Sequence, residues 1–316
     1  MSVLPRSKRM RHRVEYAALR AVIAVCRAVP AGVADRVGVV VGWVVAWLWR
    51  PRWEVVMRQL RMAFPGEDEG WRRRVARASY VHFCAEAVAM FRLVGARRTE
   101  ILERTRLNGE EVLTEAAGEG RGVTLVSGHL GNWEVGTAGV VARGFPMDIV
   151  VARQRNVLFD RYLARARRRL GIGLIPREEA QRGVLATLKA GRVLGIMGDQ
   201  DARRAGIFVD YFGQPASTAR GPAVLSMRAG ATVATFYTIR RAGWRPRYDI
   251  HIEPVKEADR GRGRTVAAAV TRAFTARLEE RVRQYPEQYL WHHRRWKTQP
   301  PGDDDGERRE NRVCID

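Results

Sequence analysis

A chain of 316 residues, 46% of them hydrophobic, can bury a large core, which excludes a miniprotein that depends on disulfide staples. Its 56 lysines and arginines against 34 acids give a net charge of +22, which attracts polyanions: nucleic acid, anionic lipid or an acidic protein partner. Cys26, Cys84 and Cys314 are odd in number, widely spaced and without a CxxC pair, so neither a disulfide framework nor a cysteine-based zinc site is indicated, and a reducing compartment is the natural setting.

The chain opens on a basic cluster, RSKRMRHR, directly before the apolar-rich stretch YAALRAVIAVCRAVPAGVADRVGVVVGWVVAWLW, which ends in RPRW. Arg20, Arg27, Asp35 and Arg36 interrupt that stretch. Its longest uncharged run, Val37 to Trp49, is 13 residues, against the about 20 that a spanning helix needs. Two arrangements fit. One is a helical hairpin in the membrane interface, with Trp43, Trp47, Trp49 and Trp53 at the headgroups and arginines on anionic phosphates; the other is a buried helix pair. Basic flanks and clustered tryptophans favour the first. No small-residue site ends the apolar run, so it does not read as a cleavable signal peptide.

Helical texture continues without a strand signal to about residue 105, with Val81, Cys84, Ala85, Val88 and Phe91 at the spacing of one buried face. From Gly122 the texture changes. GVTLVSG, MDIVVAR, GIGLIP, RVLGIMGD, TVATFYTI and RYDIHIEP read as strands, most of them buried, and 156–170, 177–190, 217–229 and 264–284 read as helices. That alternation predicts an α/β fold with a mixed, largely parallel central sheet flanked by helices, behind an N-terminal helical, membrane-associated element.

The stretch SGHLGNWEVG, residues 127–136, follows the first of those strands. His129 therefore stands at the carboxyl end of a strand, where ligand sites of open α/β sheets collect, and Asn132 is placed to cap a helix running from Trp133. Glu134 lies five positions beyond His129. On a regular helix such positions point about 140° apart, so a direct contact requires the chain to turn at Gly131. Given that turn, the glutamate can hold one ring nitrogen and leave the other to take a proton. The alternative is a glutamate favoured by the helix dipole beside a structural histidine. No G-x-S-x-G elbow, H-E-x-x-H zinc helix, Walker loop or dinucleotide glycine motif occurs.

HLGNWE fits the histidine, four residues, acid motif of the lysophospholipid acyltransferase superfamily. With MRQLRMAFPG before it and GDQDARRAGIFVDYFGQPASTARGPAVLSMRAGA and QYPEQYLWHHRRWKTQP after it, the chain resembles the bacterial lipid A biosynthesis (late) acyltransferases of the lauroyl/myristoyl transferase type. The actinobacterial mannoside acyltransferases share the histidine motif and the GPA segment. The resemblance implies a glycerolipid acyltransferase-like fold, and the texture along the chain divides it into a basic and apolar helical membrane-attachment segment at 1–65, a catalytic domain at 66–300 and a disordered polar tail at 301–316. It further implies an O-acyltransferase on the cytoplasmic face of the inner (plasma) membrane, peripheral or held by a single N-terminal anchor. Its reaction would move a fatty acyl group from an acyl carrier protein or CoA thioester to a hydroxyl of a lipid A (Kdo-lipid) precursor, with no cofactor and no metal. Acyl carrier protein, an anionic glycolipid and the membrane surface are the implied partners, and nucleic acid is not one.

By the same resemblance, His129 is the general base and Glu134 orients it, while Arg167, Asp199, Asp201 and Arg294 sit beside the substrate or behind the histidine. Arg165, Arg168 and Arg169 surround Arg167, so the sequence leaves open which of them turns inward. Arg294 and Arg295 can contact a phosphate or form a structural salt bridge. Two rival readings stand: the same fold acting on another acceptor, such as a phosphatidylinositol mannoside with acyl-CoA, or a basic nucleic-acid binder, which would leave the tryptophan-rich stretch unexplained.

Overall fold

The computed structural model describes residues 6–260 and 263–301. The expected polar tail from position 302 on, Cys314 within it, lies outside the described residues. Helices α1 (Arg6–Ala28), α2 (Ala31–Val44, prolonged by a π-helical turn Val45–Trp49), α3 (Trp53–Ala63), α4 (Glu69–Leu93) and α5 (Arg98–Arg104) come first. The rest alternates: β1 (Thr105–Asn108), α6 (Glu110–Gly118), β2 (Val123–Ser127), α7 (Trp133–Ala142), β3 (Met147–Val151), α8 (Val157–Arg169), β4 (Gly173–Pro176), α9 (Ala180–Lys189), β5 (Val193–Met197), β6 (Ile207–Tyr211), β7 (Gln214–Thr218), α10 (Gly221–Ala229), β8 (Thr232–Arg241), β9 (Arg247–Pro254) and α11 (Arg264–Gln284).

Seven strands form one sheet in the order β1-β9-β8-β2-β5-β3-β4. Strands β8, β2, β5, β3 and β4 run parallel, β9 runs antiparallel to β8, and β1 runs parallel to β9. This is the expected mixed, largely parallel sheet. All six strands read from the sequence are present. Each central strand buries both faces, which is why the runs are continuously apolar rather than alternating: Val126, Val233 and Tyr237 join one core cluster with α3, α4 and α11, while Leu125, Ala234 and Phe236 join another on the opposite face.

Three elements have no counterpart in the sequence reading: the edge strand β1, helix α6 and the antiparallel β6–β7 hairpin. The helix expected at 217–229 starts only at Gly221, because Ser217 and Thr218 belong to β7. Pro215 disguises that strand; it is tolerated because the hairpin has two strands and therefore only edges.

Helix α2 packs on α4 through small residues. Ala34, Gly38, Gly42 and Ala46 recur every fourth position and are buried, and a Cβ at Gly42 would stand 2.5 Å from the Val81 Cα. Such a stripe lets two helix backbones approach closely. The stripe Val81, Cys84, Ala85, Val88 of α4 is the one that meets it. The opposite face of α2 is apolar and open: Val37, Val40, Val44, Trp47, Leu48 and Trp49 are exposed, as is Trp43. Trp53 differs from expectation by turning inward to stack on Tyr80, with ring centroids 6.3 Å apart. Ala31–Trp49 is 19 residues long and apolar enough to cross a membrane by length and composition, with 33% of it buried. Of the two charges that precede the uncharged run, Asp35 points into the protein and pairs with Arg240, while Arg36 is exposed, its guanidinium 4.8 Å from the Trp244 ring centroid.

Replacing Gly42 by alanine is expected to lower unfolding stability by about 1–3 kcal/mol through overpacking, whereas Gly66→Ala, with no atom within 4 Å of the new Cβ, leaves it unchanged. Denaturant unfolding of both variants in the same detergent checks this, and equal midpoints would remove the close α2–α4 contact from the account.

Candidate active site

Adjacent parallel strands β2 and β5 end together. Ser127 is in register with Met197, and the Gly198 N–H donates to the Ser127 carbonyl at 2.8 Å. Each strand then runs through one glycine to a polar residue, Gly128 to His129 and Gly198 to Asp199, so equal overhangs bring these two side by side. The His129 backbone N–H donates to Asp199 Oδ2 at 2.7 Å, and His129 Nδ1 lies 2.7 Å from Oδ1. Asp199 is 3% exposed. Burial pushes its carboxyl up, but the charge of His129, the two hydrogen bonds from that residue and the nearby Arg295 outweigh it and hold the carboxyl at about 2. An ionised carboxylate only accepts, so Nδ1 carries the hydrogen. For His129, burial alone would lower the imidazole pKa; Asp199 reverses this and raises it. The tautomer so fixed leaves Nε2 unprotonated, its lone pair accepting a long hydrogen bond from the Gln200 amide nitrogen 3.4 Å away.

The chain does turn at Gly131, which has φ +65° and lies against the β8 backbone, where a Cβ would come within 1.8 Å of the Thr238 carbonyl oxygen. Asn132 caps α7 as expected, its Oδ1 accepting from the Val135 N–H at 3.1 Å. Glu134, in the first turn of α7 and 6% exposed, is nonetheless directed to α8, where Arg167 grips it through Nε at 3.2 Å and through Nη2. The expectation that Glu134 orients His129 is therefore corrected: Asp199 does so, and Glu134 orients Arg167. Arg167 is the inward member of its cluster, with Arg165, Arg168 and Arg169 exposed. Its guanidinium also lies 5.6 Å from the Trp133 ring centroid.

His129 and Arg167 open on one cavity of about 820 Å³. It is lined by the polar Gln154, Arg177, Gln200, Asp201 and Arg220 and by the apolar Met147, Ile149 and Phe236 with Gly195 on one face of the sheet, together with Trp133 and Thr137 of α7. Asp201 lines the cavity, accepts from the Thr298 hydroxyl at 2.9 Å and gives its own N–H to His293 Nε2 at 3.2 Å. Burial lowers the pKa of His293, consistent with a neutral acceptor there. Arg294 is exposed and does not line the cavity; its neighbour Arg295, 2% exposed, donates to the Ser217 carbonyl at 2.7 Å and to the Thr218 hydroxyl, and so ties the C-terminal segment to β7. Among the described residues, no group of three His, Cys, Asp or Glu side chains converges to hold a metal ion.

Sequence reasoning missed the buried charges behind this loop, Asp35, Glu86 and Arg240. Besides the resemblance, which put Asp199 behind the histidine, a signal for the direct His129–Asp199 contact was the repeated pattern of apolar strand, glycine and polar residue in VSGH and IMGD, which registers the two only if β2 and β5 are neighbours.

The sequence profile of the bacterial lipid A biosynthesis acyltransferases matches residues 4–298. A lipid A biosynthesis palmitoleoyltransferase of Escherichia coli (strain K12) is 31% identical over 62% of this chain and 63% of its own length, so the match spans less than two thirds of that relative. A lipid A biosynthesis lauroyltransferase of the same strain is 28% identical over 86% of this chain and 88% of its own. A phosphatidylinositol mannoside acyltransferase of Mycolicibacterium smegmatis (strain ATCC 700084 / mc(2)155) is 29% identical over 69% of each.

The geometry makes a titration prediction. The negative charge of Asp199 favours the imidazolium form of His129, so Asp199→Asn removes the raising influence and leaves burial to act alone; the His129 pKa then falls below its wild-type value. Nitrogen-15 NMR of histidine side chains across a pH series reads this directly, and an unchanged midpoint would mean that Asp199 does not set the base strength.

Proposed function

The chain belongs to the bacterial lipid A biosynthesis acyltransferase family, and on that premise we propose that it transfers a fatty acyl group from a thioester donor to a hydroxyl of an anionic glycolipid, with His129 as general base. The observation that carries this reading is the His129–Asp199 pair presenting an unprotonated Nε2 to a cavity lined by both charged and apolar side chains. In the proposed step the acceptor hydroxyl gives its proton to Nε2 while its oxygen bonds to the thioester carbonyl carbon. The tetrahedral intermediate then expels the thiolate sulfur, which takes the proton back from Nε2–H. Asp199 balances the charge of the transient imidazolium, as the acid of a triad does. Arg167, held in place by Glu134, supplies positive charge to the developing oxyanion. The apolar reach of the cavity over Met147, Ile149 and Phe236 accepts the acyl chain.

The preferred acceptor is a lipid A (Kdo-lipid) precursor and the preferred donor an acyl carrier protein, an acidic partner for the exposed arginines around α8. The apolar open face of α2, with its exposed tryptophans, seats the enzyme in the cytoplasmic leaflet of the inner membrane. The M. smegmatis relative favours one second reading, a phosphatidylinositol mannoside as acceptor with acyl-CoA as donor. Purified protein in phospholipid vesicles, offered each donor with each acceptor and read by mass spectrometry of the lipids, decides between them: transfer only to the mannoside overturns the lipid A reading, and transfer to neither overturns both.

On the productive pair, His129→Ala is expected to cut turnover by about 10²–10⁴-fold. Because the base form must be free, wild-type turnover rises with pH through the raised His129 pKa, and in Asp199→Asn the acid limb moves to lower pH. Glu134→Ala and Arg167→Ala are each expected to slow the reaction, and the double variant no more than Arg167→Ala alone, since Glu134 acts through the arginine it holds. Additive losses would separate the two roles.

A further inference from the structure

A second set of buried charges lies behind the His129 loop, and the reaction proposed above does not use it. Arg240, on β8, donates through Nη2 to Asp35 Oδ1 on α2 at 2.5 Å and through Nη1 to Glu86 Oε1 on α4 at 2.9 Å. The other oxygen of Glu86 accepts from the Asn132 amide at 2.5 Å and from the Tyr248 hydroxyl at 3.0 Å. Asp35, Glu86 and Asn132 are 3%, 8% and 5% exposed. Burying three ionised groups is an expensive way to join helices to a sheet, since a well-packed apolar set of the same volume often holds as well or better. What the ions add is direction.

Asn132 shows where that direction goes. An amide side chain can be turned end for end with little change of shape, but only Oδ1 can accept from the Val135 N–H and cap α7. Glu86, an acceptor only, holds the amide nitrogen on its own side and therefore fixes Oδ1 on the cap. The same arginine anchors the preceding residues through its backbone. Its N–H donates to the Gln288 side-chain oxygen at 2.9 Å, the Gln288 amide donates back to the Arg240 carbonyl at 3.0 Å, and the Gln288 carbonyl accepts from the Gly131 N–H at 2.9 Å. The loop from His129 to Asn132 thus hangs on Arg240 and Glu86 at one end, and α2 reaches that support through Asp35.

We propose that Asp35, Glu86 and Arg240 are positioning residues that couple the seat of the apolar helix α2 to the geometry of the His129 loop. The helix with the lipid-like open face is in this way part of the support of the reacting base rather than only an anchor. The inference rests on the reading of His129 as general base, but the coupling of α2 to the loop can be measured without it.

The test uses the full chain in phospholipid vesicles, with Asp35→Asn on α2, Glu86→Gln at the centre and Glu86→Asp as the variant that keeps the charge. Each is checked for fold by far-ultraviolet circular dichroism. Backbone amide exchange, read by mass spectrometry, is expected to rise by about tenfold or more in peptides spanning 129–136 and to stay unchanged in β2 and β5. At saturating substrate, turnover in Asp35→Asn and Glu86→Gln is expected to drop by about tenfold to a hundredfold while KM stays within about threefold; Glu86→Asp recovers part of both losses. Folded Asp35→Asn and Glu86→Gln proteins whose loop exchange matches wild type overturn the coupling. So does loop exchange that rises while turnover stays at the wild-type level, or uniform exchange increases through β2 and β5, the signature of a merely structural ion pair. If the wild-type protein transfers no acyl group at all, the functional reading fails and the exchange pattern alone judges the coupling.

Discussion

The register between β2 and β5 is the constraint on which the site depends. Both strands are parallel, both stop at the same level, and each adds one glycine before its polar residue, so the contact between His129 and Asp199 is a consequence of strand pairing rather than of a special loop. The glycines have a second role. A Cβ on Gly128 would stand 2.7 Å from the Leu278 methyl carbons and one on Gly198 2.9 Å from Phe274 ring carbons. Leu278 and Phe274 lie one turn apart on α11, so that helix crosses directly against both strand ends and closes the sheet behind the pair. A slip of one residue between the strands would send one of the two side chains to the other face of the sheet.

Around this frame the protein places its ionised groups in pairs that join parts of the chain remote in sequence: His129 with Asp199, Glu134 with Arg167, and Asp35 and Glu86 with Arg240. Each of these carboxylates is buried. Pairs of this kind contribute little net stability after desolvation is counted, yet removal of one partner leaves a buried charge uncompensated. Their contribution is to geometry. Arg167 is aimed at the cavity because Glu134 holds two of its nitrogens, and the imidazole of His129 has one available tautomer because Asp199 is ionised.

Much of the fold was legible because it rests on local signals. Buried parallel strands are continuous apolar runs, helices carry a period near 3.6, and the Asn132 cap follows from residue type alone. The parts that escaped depend on partners that a single sequence does not identify. Strand β7 reads as a loop because its proline and its polar Ser217 and Thr218 make sense only once Arg295 is seen to satisfy them. Asp35 reads as an interruption of an apolar helix until Arg240, 205 residues away, neutralises it. The site shows the same division. His129, Arg167, Asp199 and Asp201 were placed near one another by resemblance, and the cavity gathers His129, Arg167 and Asp201 with Asp199 buried behind the histidine, but the pairing of acids with bases depends on tertiary neighbours, and Glu134 went to the arginine rather than the histidine. In HHRRWK the two arginines are equivalent as letters; packing against β7 buries the second and leaves the first in solvent.

The excess positive charge has a similar two-part explanation. Arg167, Arg240 and Arg295 are spent on internal partners and say nothing about what the protein meets outside. Part of the outward charge lies where α1 crosses α8. The Asn156 side chain at the start of α8 donates to the His12 carbonyl at 3.0 Å and to Glu15 at 2.9 Å, Tyr16 meets Tyr162 edge-on at 5.9 Å, and Arg20 sits 5.0 Å from the Tyr162 ring centroid. Arg9, Arg13, Arg161, Arg165 and Arg168 are exposed on these two helices, and among the described residues none of them forms an ion pair. Helix α1 also touches α2, whose open face is apolar. The basic surface and the apolar surface are therefore neighbours through one helix, and α8, which carries part of the basic surface outward, turns its paired Arg167 inward to the wall of the cavity. The proposed function, which brings an anionic lipid-bearing surface to the enzyme, needs a basic and an apolar face side by side, and that adjacency is more than net charge by itself implies.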